Sequence, residues 1–453
     1  MVESARSARW FYGSSRPEGG DLRSVVTMLW LVLAVIFAPS VAALTGVAFL
    51  GYTDEVAIVV LAVRAIIKVQ RTPLRAVPGT WLFLVFLGAG TFGAVQAQVS
   101  SSVLLLTFFS MSKLFLLTFA AMQENWTDAA VRILEGFLGR LLVVAGGFGL
   151  LNLAVGEVWT RAFERNGSSY IDVRFGFIAS QGLFVHPLEQ SAILVLLLGA
   201  GVAAYQTLGA SRRRAWSLAL GFGALFVTFR RSGWLLSVIG TLTALRRWAV
   251  GYVAATAWAA AIGVLLLWGP LAQFATKTYD EYFTHGATSA RGLLLRGAVT
   301  GAEKNFPLGY GFGTYGSAAS LSGYSEAYAE LGFQYVWGLQ DATGYGSFLL
   351  DSQWANVLGE TGVIGAVCFA GWFIWQLVVL RRLNTGDPLS AWLSRSARSM
   401  IISIVILSAV GTYLAGSPAL GVLGVTLGAA AGRIAHDRRS EPSLSAPELQ
   451  RTT

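Results

Sequence analysis

The sequence predicts an all-α polytopic membrane protein with about twelve transmembrane helices and one large extracytoplasmic loop. Its 453 residues are 55% hydrophobic and only 13% charged, whereas soluble domains carry about 25% charged residues. The mean hydropathy is +0.60. The 52 glycines also fit, because glycine is commoner in transmembrane helices than in soluble ones. At least eleven strongly apolar stretches run through the chain, and a span requires about 20 apolar residues.

Twelve apolar segments are candidate spans. In chain order they lie near residues 25–44, 51–69, 80–99, 102–122, 138–159, 188–207, 215–229, 232–245, 248–269, 355–380, 399–416 and 418–435. The second, seventh and eighth segments are short or carry charge. An even number of spans places both termini on the same side of the membrane.

This plan divides the chain into three regions. Residues 1–24 form a cytoplasmic segment without an evident cleavable signal peptide, residues 25–435 form the transmembrane bundle, and residues 436–453 form a disordered cytoplasmic tail. Two loops on the outer side are long, and they cover residues 160–187 and 270–354. The second loop is rich in aromatic residues and glycine, which argues against disorder, so we expect a small folded lobe.

The positions of Lys and Arg set the orientation. Of the 33 Lys and Arg residues, 23 lie on one side of the twelve-span plan, and positive residues accumulate in cytoplasmic loops. A single missed span would move the run Arg212–Arg214 to the outer side. We therefore expect both termini to be cytoplasmic.

Net charge and the scarcity of His and Cys exclude several kinds of site. The formal net charge of +9 is explained by topology and by contact with anionic lipid head groups, not by nucleic acid. The single cysteine, Cys368, excludes an intramolecular disulfide. With only His186, His285 and His436, and with no phosphate-binding loop or zinc-type spacing, we expect any chemistry to need no metal ion and no cofactor.

Arginines in three outer segments oppose the usual charge bias and are the candidate binding residues. Arg174 stands in Asp-Val-Arg-Phe-Gly-Phe, ahead of the span that follows His186. It is either a bidentate phosphate ligand or an anchor whose charge reaches the lipid head groups. Arg230 and Arg231 lie in a tight turn between two apolar runs, where charge near a bundle interior usually marks a substrate pathway. The alternative for these two residues is a plain surface turn.

The longest loop supplies two further candidate ligands, Arg291 and Arg296. They precede the motif Asn-Phe-Pro-Leu-Gly-Tyr-Gly-Phe-Gly at 305–313, and the stretch near 288–304 predicts a helix. Glycines allow a backbone to approach a ligand closely, and aromatic residues such as Tyr310 offer flat faces to sugar rings or a prenyl chain. The alternative is a structured loop with glycine turns and a Tyr-rich core.

Asp351 lies where the long loop re-enters the membrane, in Leu-Leu-Asp-Ser-Gln-Trp. A carboxylate at this boundary, near arginines, is a candidate general base for an acceptor hydroxyl. The alternative is an N-cap of the following span, for which Asp-Ser is well suited. Glu360 lies deeper in that span, and we expect it to pair with an arginine or with a polar backbone group.

Taken together, these residues resemble the O-antigen ligase and O-antigen polymerase superfamily of membrane glycosyltransferases. The similarity lies in the order of short motifs over roughly residues 170–380. An Arg-aromatic-Gly segment precedes a Pro-containing start of a span, and an Arg-containing turn between two spans follows. An arginine then precedes Asn-x-Pro-x-Gly-x-Gly-x-Gly, and a polar segment leads to Gly-Glu-x-Gly-x-x-Gly at 359–365.

The resemblance implies an enzyme of the bacterial cytoplasmic membrane. Its donor would be a polyprenyl-diphosphate-linked glycan, its acceptor a glycan or a lipid, and transfer would occur on the outer face by in-line displacement with inversion. The resemblance implies no nucleotide sugar and no metal ion. The implied roles are diphosphate binding by Arg174, Arg231 and Arg291, and general base for Asp351, with His186 as the reserve base.

Two departures from the family pattern are present. The turn contains Arg-Arg-Ser instead of Ser-Arg, which leaves open whether Arg230 or Arg231 corresponds to the family arginine. Asp351 and Ser352 stand where the ligases usually have a His-Asn pair. The second departure favours a polymerase-like member or a divergent ligase.

Two other classes of function remain as alternatives, a transporter or flippase of an anionic lipid-linked substrate and a structural membrane protein. A transporter is expected to place charge at mid-span and to show an internal repeat, whereas here charge clusters at the outer mouth and no repeat is visible. A structural protein has no need of uncompensated arginines in three outer segments. The glycosyltransferase hypothesis requires that Arg174, Arg291 and Asp351 converge in space.

Overall fold

The structure is a computed structural model, and it describes residues 19–70, 72–163, 171–174, 176–244, 289–341, 348–383, 386–416 and 418–440. Within these ranges most residues are helical and the strands form only one short hairpin, which agrees with the predicted all-α class. The predicted span at 248–269, residues 1–18, the end of the tail at 441–453 and the start of the long loop at 270–288 lie outside the described residues.

A helix occupies at least half of every predicted apolar segment that falls within the described residues. In chain order the elements are α1 (Gly19–Thr45), α2 (Thr53–Val69), α3 (Thr80–Gln96), α4 (Ser101–Met122), α5 (Asp128–Val155), α6 (Glu157–Ala162), β1 (Val173–Arg174), β2 (Phe177–Ile178), α7 (Pro187–Thr207), α8 (Arg212–Phe226), α9 (Arg231–Ala244), α10 (Ala290–Lys304), α11 (Ala318–Ser322), α12 (Glu326–Glu330), α13 (Gln353–Leu380), α14 (Pro388–Leu407) and α15 (Pro418–Ser440). Short 3-10 turns lie at Ala48–Tyr52, Phe333–Tyr335 and Arg381–Leu383.

Six helices among the described residues are long and apolar enough to cross a membrane, and they are α1, α4, α5, α7, α13 and α15. Helix α3 is apolar but shorter. The protein is therefore an all-α membrane protein. One predicted boundary is wrong, because α14 ends at Leu407 and the chain is non-helical over residues 408–416. Asp387 caps α14 well before its apolar run begins, and Gly411 and Gly416 follow the end of the helix.

Capping side chains fix where several helices begin. A serine, threonine or aspartate oxygen accepts a backbone N–H group at the start of α5, α8, α10, α13 and α14, where the caps are Thr127, Ser211, Ser289, Ser352 and Asp387. Such caps satisfy N–H groups that have no partner within the helix.

Helices α7 and α15 form the centre of the bundle, with 78% and 89% of their most apolar windows buried. Helix α15 packs against α4 through Gly424 and Gly428, where an added Cβ would collide with Leu117 and Ala121. Small residues permit this close approach, which matters because lipid is as apolar as the helix surfaces and gives little hydrophobic drive to association.

Ion pairs link neighbouring helices at one end of the bundle. Glu124, just after α4, binds Lys68 of α2 at 2.8 Å. Arg433 of α15 binds Asp128 of α5 at 2.7 Å and Asp387 of the α14 cap at 3.5 Å. These cations belong to the set predicted to face the cytoplasm. The opposite end, where α7 and α13 begin, is called the site end below.

The described residues of 289–352 form a lobe at the site end with an aromatic core of its own. Helix α10 confirms the helix predicted at the start of this segment. Tyr315 and Tyr328 are fully buried, their ring centroids are 5.5 Å apart, and Phe333 stacks on Tyr328 at 5.9 Å. Tyr310 stacks on Tyr315 at 6.0 Å. The aromatic residues of this loop therefore build a Tyr-rich core.

Candidate functional site

Asp172 binds two of the predicted arginines at the site end. It accepts hydrogen bonds from Nε of Arg174 at 3.0 Å and from Nη2 of Arg230 at 2.5 Å. Residues two apart in an extended chain point to the same side, so the short β1–β2 hairpin places Asp172 beside Arg174. Arg230 reaches the same carboxylate from the turn between α8 and α9.

The pair of Arg230 and Asp172 is largely withdrawn from solvent, with side chains 12% and 10% exposed. Burial lowers the pKa of Arg230 to about 10, an effect that the charge of Asp172 opposes and the charge of Arg174 reinforces. Arg230 therefore remains a cation at neutral pH. A fixed charge in such a partly dehydrated place interacts more strongly with a ligand charge than it would in water.

Arg291 binds Asp351. The Nε and Nη2 atoms of Arg291 lie 3.0 and 2.7 Å from Oδ2 of Asp351. The alternative role of Asp351 as a helix cap is wrong, because the cap of α13 is Ser352, whose hydroxyl accepts the N–H of Ala355 at 3.2 Å. The Asp351 carboxylate therefore binds an arginine.

His186 is the N-cap of α7, and one of its ring nitrogens is occupied. Nδ1 accepts the N–H of Leu188 at 3.1 Å, which assigns the proton of the neutral ring to Nε2. Burial lowers the pKa of His186 to about 4, and the charge of Arg230 acts in the same direction while that of Asp172 opposes it. At pH 7 the ring is therefore neutral and donates from Nε2. A reserve-base role would require moving this proton to Nδ1 and breaking the cap.

We expect His186 to make the protein less stable as the pH falls from about 6.5 to about 4. The folded-state pKa of about 4 lies below the ordinary value of about 6.5, so in this window the unfolded chain binds a proton that the folded chain does not. The variant His186→Asn keeps a capping acceptor and loses this titration. Melting temperatures in detergent at pH 7 and pH 4.5 should differ less for the variant than for the wild type. Equal differences would contradict the assignment.

A cavity of about 710 Å³ opens at the site end, and its wall includes His186, Glu189, Asp351 and Tyr413. Its volume lies within the ~300–1,000 Å³ typical of small-molecule sites. Two of the predicted site residues, His186 and Asp351, line this cavity, and Arg291 is bound to the second of them.

The structure brings the arginines of the three predicted segments together. Arg230 lies within electrostatic reach of both Arg174 and Arg291. The buried Tyr413 lies within reach of Arg230, Arg291 and Asp351. Side chains from three segments that are far apart in the sequence therefore act on one region beside the cavity.

Two other predicted ligands, Arg231 and Arg296, are placed differently from Arg174, Arg230 and Arg291. Arg296 is exposed and stands five residues after Arg291 on α10, which turns the two side chains to different faces of the helix. Arg231 is half-buried at the first position of α9, whereas its neighbour Arg230 binds Asp172. The turn therefore contributes Arg230 to the arginine cluster, which we define as Arg174, Arg230 and Arg291.

The glycine-rich motif at 305–313 packs against the helices of the bundle. The N–H of Gly313 donates to Oε1 of Glu360 at 2.9 Å, so Glu360 pairs with polar backbone, one of the two expected outcomes. Gly311 has a φ of +95°, and an added Cβ would overlap the backbone of Ala94. The expectation that these glycines approach a ligand is therefore replaced by their close approach to neighbouring backbone.

Three residues of the site were not among the candidates predicted from the sequence, and they are Asp172, Glu189 and Tyr413. Asp172 had a signal, because it stands two residues before Arg174 in a segment that precedes a helix. Glu189 also had one, since it stands three residues after His186, where an acidic side chain commonly reaches back to the cap. Tyr413 had none, because only tertiary packing brings residues 408–416 to the site.

The arrangement suits an anion with several phosphate oxygens. The expectation that these arginines are uncompensated is wrong, because Asp172 pairs with Arg174 and Arg230 and Asp351 pairs with Arg291. These pairs orient the guanidinium groups before any ligand arrives, and guanidinium matches phosphate geometry in a bidentate manner. Among the described residues, no group of three His, Cys, Asp or Glu side chains is placed to hold a metal ion.

In comparisons with known proteins, no family model matches the chain and no curated protein matches it.

Proposed function

We propose that the protein is a membrane glycosyltransferase of the O-antigen polymerase or ligase type. It transfers or polymerises a polyprenyl-diphosphate-linked glycan on the outer face of the bacterial cytoplasmic membrane. The proposal includes twelve spans, both termini in the cytoplasm, and the long loop with the site end on the outer side. The observation that carries it is the arginine cluster of Arg174, Arg230 and Arg291 beside a cavity of about 710 Å³.

The arginine cluster fits a diphosphate leaving group. Negative charge grows on a phosphate oxygen as the glycosidic bond breaks, and fixed guanidinium groups in a partly dehydrated cleft stabilise that charge. Asp172 and Asp351 hold the arginines in position beforehand, so little reorganisation accompanies the reaction. Attack by an acceptor hydroxyl in line with the leaving group gives inversion at the anomeric carbon.

The order of motifs supports the donor class. The segments that resemble O-antigen ligases and polymerases are those that supply Arg174, Arg230, Arg291 and Asp351. A polymerase lengthens the glycan and a ligase transfers it to another acceptor, but the resemblance implies the same kind of donor for both. The Asp351-Ser352 pair in place of His-Asn favours a polymerase-like member or a divergent ligase.

A transporter or flippase of an anionic lipid-linked substrate is the second candidate, and one observation favours it. Lys113, in the interior of α4, lines the same cavity and pairs with Asp54 at 2.9 Å and Glu55 at 2.5 Å. Charged side chains inside a membrane bundle often mark substrate or ion pathways. A transporter leaves the covalent structure of its cargo unchanged, which separates the two candidates by product analysis.

The deciding assay uses purified protein in nanodiscs with a polyprenyl-diphosphate oligosaccharide, an acceptor glycan and EDTA. We expect the wild type to lengthen or transfer the glycan and Arg291→Ala to reduce the rate about 100-fold, because one stabilising donor of the leaving group is lost. Arg296→Ala, on another face of the same helix, is the matched control and should retain the wild-type rate. Absence of product with a range of donors, together with translocation of the lipid-linked glycan in liposomes, would replace the proposal by the transporter.

A further inference from the structure

Glu189 and Tyr413 belong to the cavity wall, but no chemical role has been assigned to them so far. Glu189, the third residue of α7, lines the cavity, and its carboxylate lies near the backbone N–H groups of Val185 and His186. Its Oε2 atom is buried and has no hydrogen-bond partner among the described residues. The hydroxyl of Tyr413 is also buried and also has no hydrogen-bond partner among the described residues. Tyr413 as a whole is only 4% exposed.

A ligand hydroxyl that reached both groups would satisfy them. Buried polar atoms without a partner are uncommon, and each costs about 1–3 kcal/mol. Glu189 and Tyr413 lie within electrostatic reach of each other and are complementary, because the carboxylate accepts and the phenol donates. A sugar hydroxyl can donate its proton to Glu189 while its oxygen accepts from Tyr413. The two residues therefore have the chemistry of a hydroxyl-binding site next to the arginine cluster.

The other candidate bases are already engaged. Oδ2 of Asp351 receives two hydrogen bonds from Arg291, and Nδ1 of His186 accepts the N–H of Leu188. Glu189 differs from both, because its Oε2 atom has no hydrogen-bond partner in the described structure. Of the three, Glu189 is the group best placed to accept a proton without breaking an existing contact.

We propose that Glu189 is the general base for the acceptor hydroxyl and that Tyr413 binds the same hydroxyl; this assignment rests on the proposed glycosyltransferase function. In the step, the acceptor oxygen bonds to the anomeric carbon of the donor, and the bond from that carbon to the diphosphate oxygen breaks. The bonding electron pair stays on the diphosphate. The hydroxyl proton moves to Oε2 of Glu189 and is later released to solvent. Asp351 keeps Arg291 oriented towards the diphosphate.

Steady-state kinetics in nanodiscs separate the two carboxylates. Glu189→Gln retains an amide oxygen near the backbone N–H groups just before α7 but removes the base, so kcat is expected to fall about 10²–10⁴-fold while the donor KM stays within about twofold. Asp351→Asn weakens the hold on Arg291, so it should raise the donor KM as well as lower kcat, whereas Glu189→Gln should lower kcat alone. Glu157→Gln, at an exposed position of α6 with 49% side-chain exposure, is the matched control and should change neither constant.

Chemical rescue gives a second measurement. Glu189→Ala removes the carboxylate and leaves space for a small one, so added formate should restore part of the lost turnover. Formate should not restore turnover to Asp351→Ala, because the carboxylate there positions an arginine. Glu189→Asp keeps a retracted carboxylate, and its turnover should lie between those of the wild type and Glu189→Ala even if other substitutions lower the yield of folded protein.

The outcomes distinguish this assignment from the function on which it rests. Wild-type kcat in Glu189→Gln, formate rescue of Asp351→Ala instead of Glu189→Ala, or equal turnover of Glu189→Asp and Glu189→Ala would each overturn the role of Glu189. Glycosyl transfer by the wild type would still stand in those cases. Absence of transfer by the wild type with every donor would overturn both proposals together.

Discussion

Replacing Arg230 by alanine is expected to reduce glycan transfer about 10³-fold, the upper end of the range for losing one donor that stabilises charge in the transition state. Arg230 is the most buried member of the arginine cluster, with a side chain 12% exposed, so its charge is screened least by water. The variant should still fold, because Asp172 loses Arg230 but keeps its hydrogen bond from Arg174 at 3.0 Å. Turnover and melting temperature measured on the same nanodisc sample test both statements.

The neighbouring arginine provides the discriminating comparison. Arg230→Lys should recover little activity, because a compact ammonium group cannot reproduce the bidentate geometry of guanidinium. Arg231→Ala should have a much smaller effect than Arg230→Ala, since Arg230 is the residue bound to Asp172. The reverse order of effects would restore the role that the family resemblance implies for Arg231. Arg296→Ala serves as the control for loss of positive charge from the same end of the bundle.

Most of the fold follows from the sequence because its signals are local. Long apolar runs predict helices, and the caps Ser352 and Asp387 mark two of their starts. Helix α14 shows the limit of this approach. Its first half is polar and contains several buried serines, among them Ser390, Ser394 and Ser396, so hydropathy placed the segment too far along the chain. Neighbouring helices, and not lipid, surround those serines.

The site could be predicted only in part, because its residues meet through tertiary packing. Arg174, Arg230 and Arg291 could be predicted because they lie on the predicted outer side. Positive residues normally accumulate on the cytoplasmic side, so arginines elsewhere are candidates for a function. The same bias could not separate Arg296, whose exposure depends on the face of α10. Tyr413 carries no charge and lies between two helices, so no pattern in the sequence distinguishes it from other tyrosines.

Replacing Gly311 by alanine is expected to destabilise the protein by about 3 kcal/mol, from overpacking and from a left-handed backbone conformation. Gly311 has a φ of +95°, and a Cβ there would overlap the backbone of Gly93 and Ala94 in α3. Helix backbone cannot move aside as a flexible side chain can, so the loop must shift. That shift would weaken the bond from the Gly311 N–H to the carbonyl of Glu360, now 2.9 Å long. Thermal unfolding in detergent measures the loss.

Gly323 in the same lobe is the matched control. Its φ is −102°, and the nearest atom to an added Cβ is 3.9 Å away, so Gly323→Ala should change stability by no more than about 0.5 kcal/mol. Because the Gly311 segment seats the lobe that carries Arg291 and Asp351, Gly311→Ala should also lower transfer activity in the fraction that remains folded. Wild-type stability combined with lost activity would mean that this glycine leaves room for a ligand, as the sequence first suggested, and not for the backbone of α3.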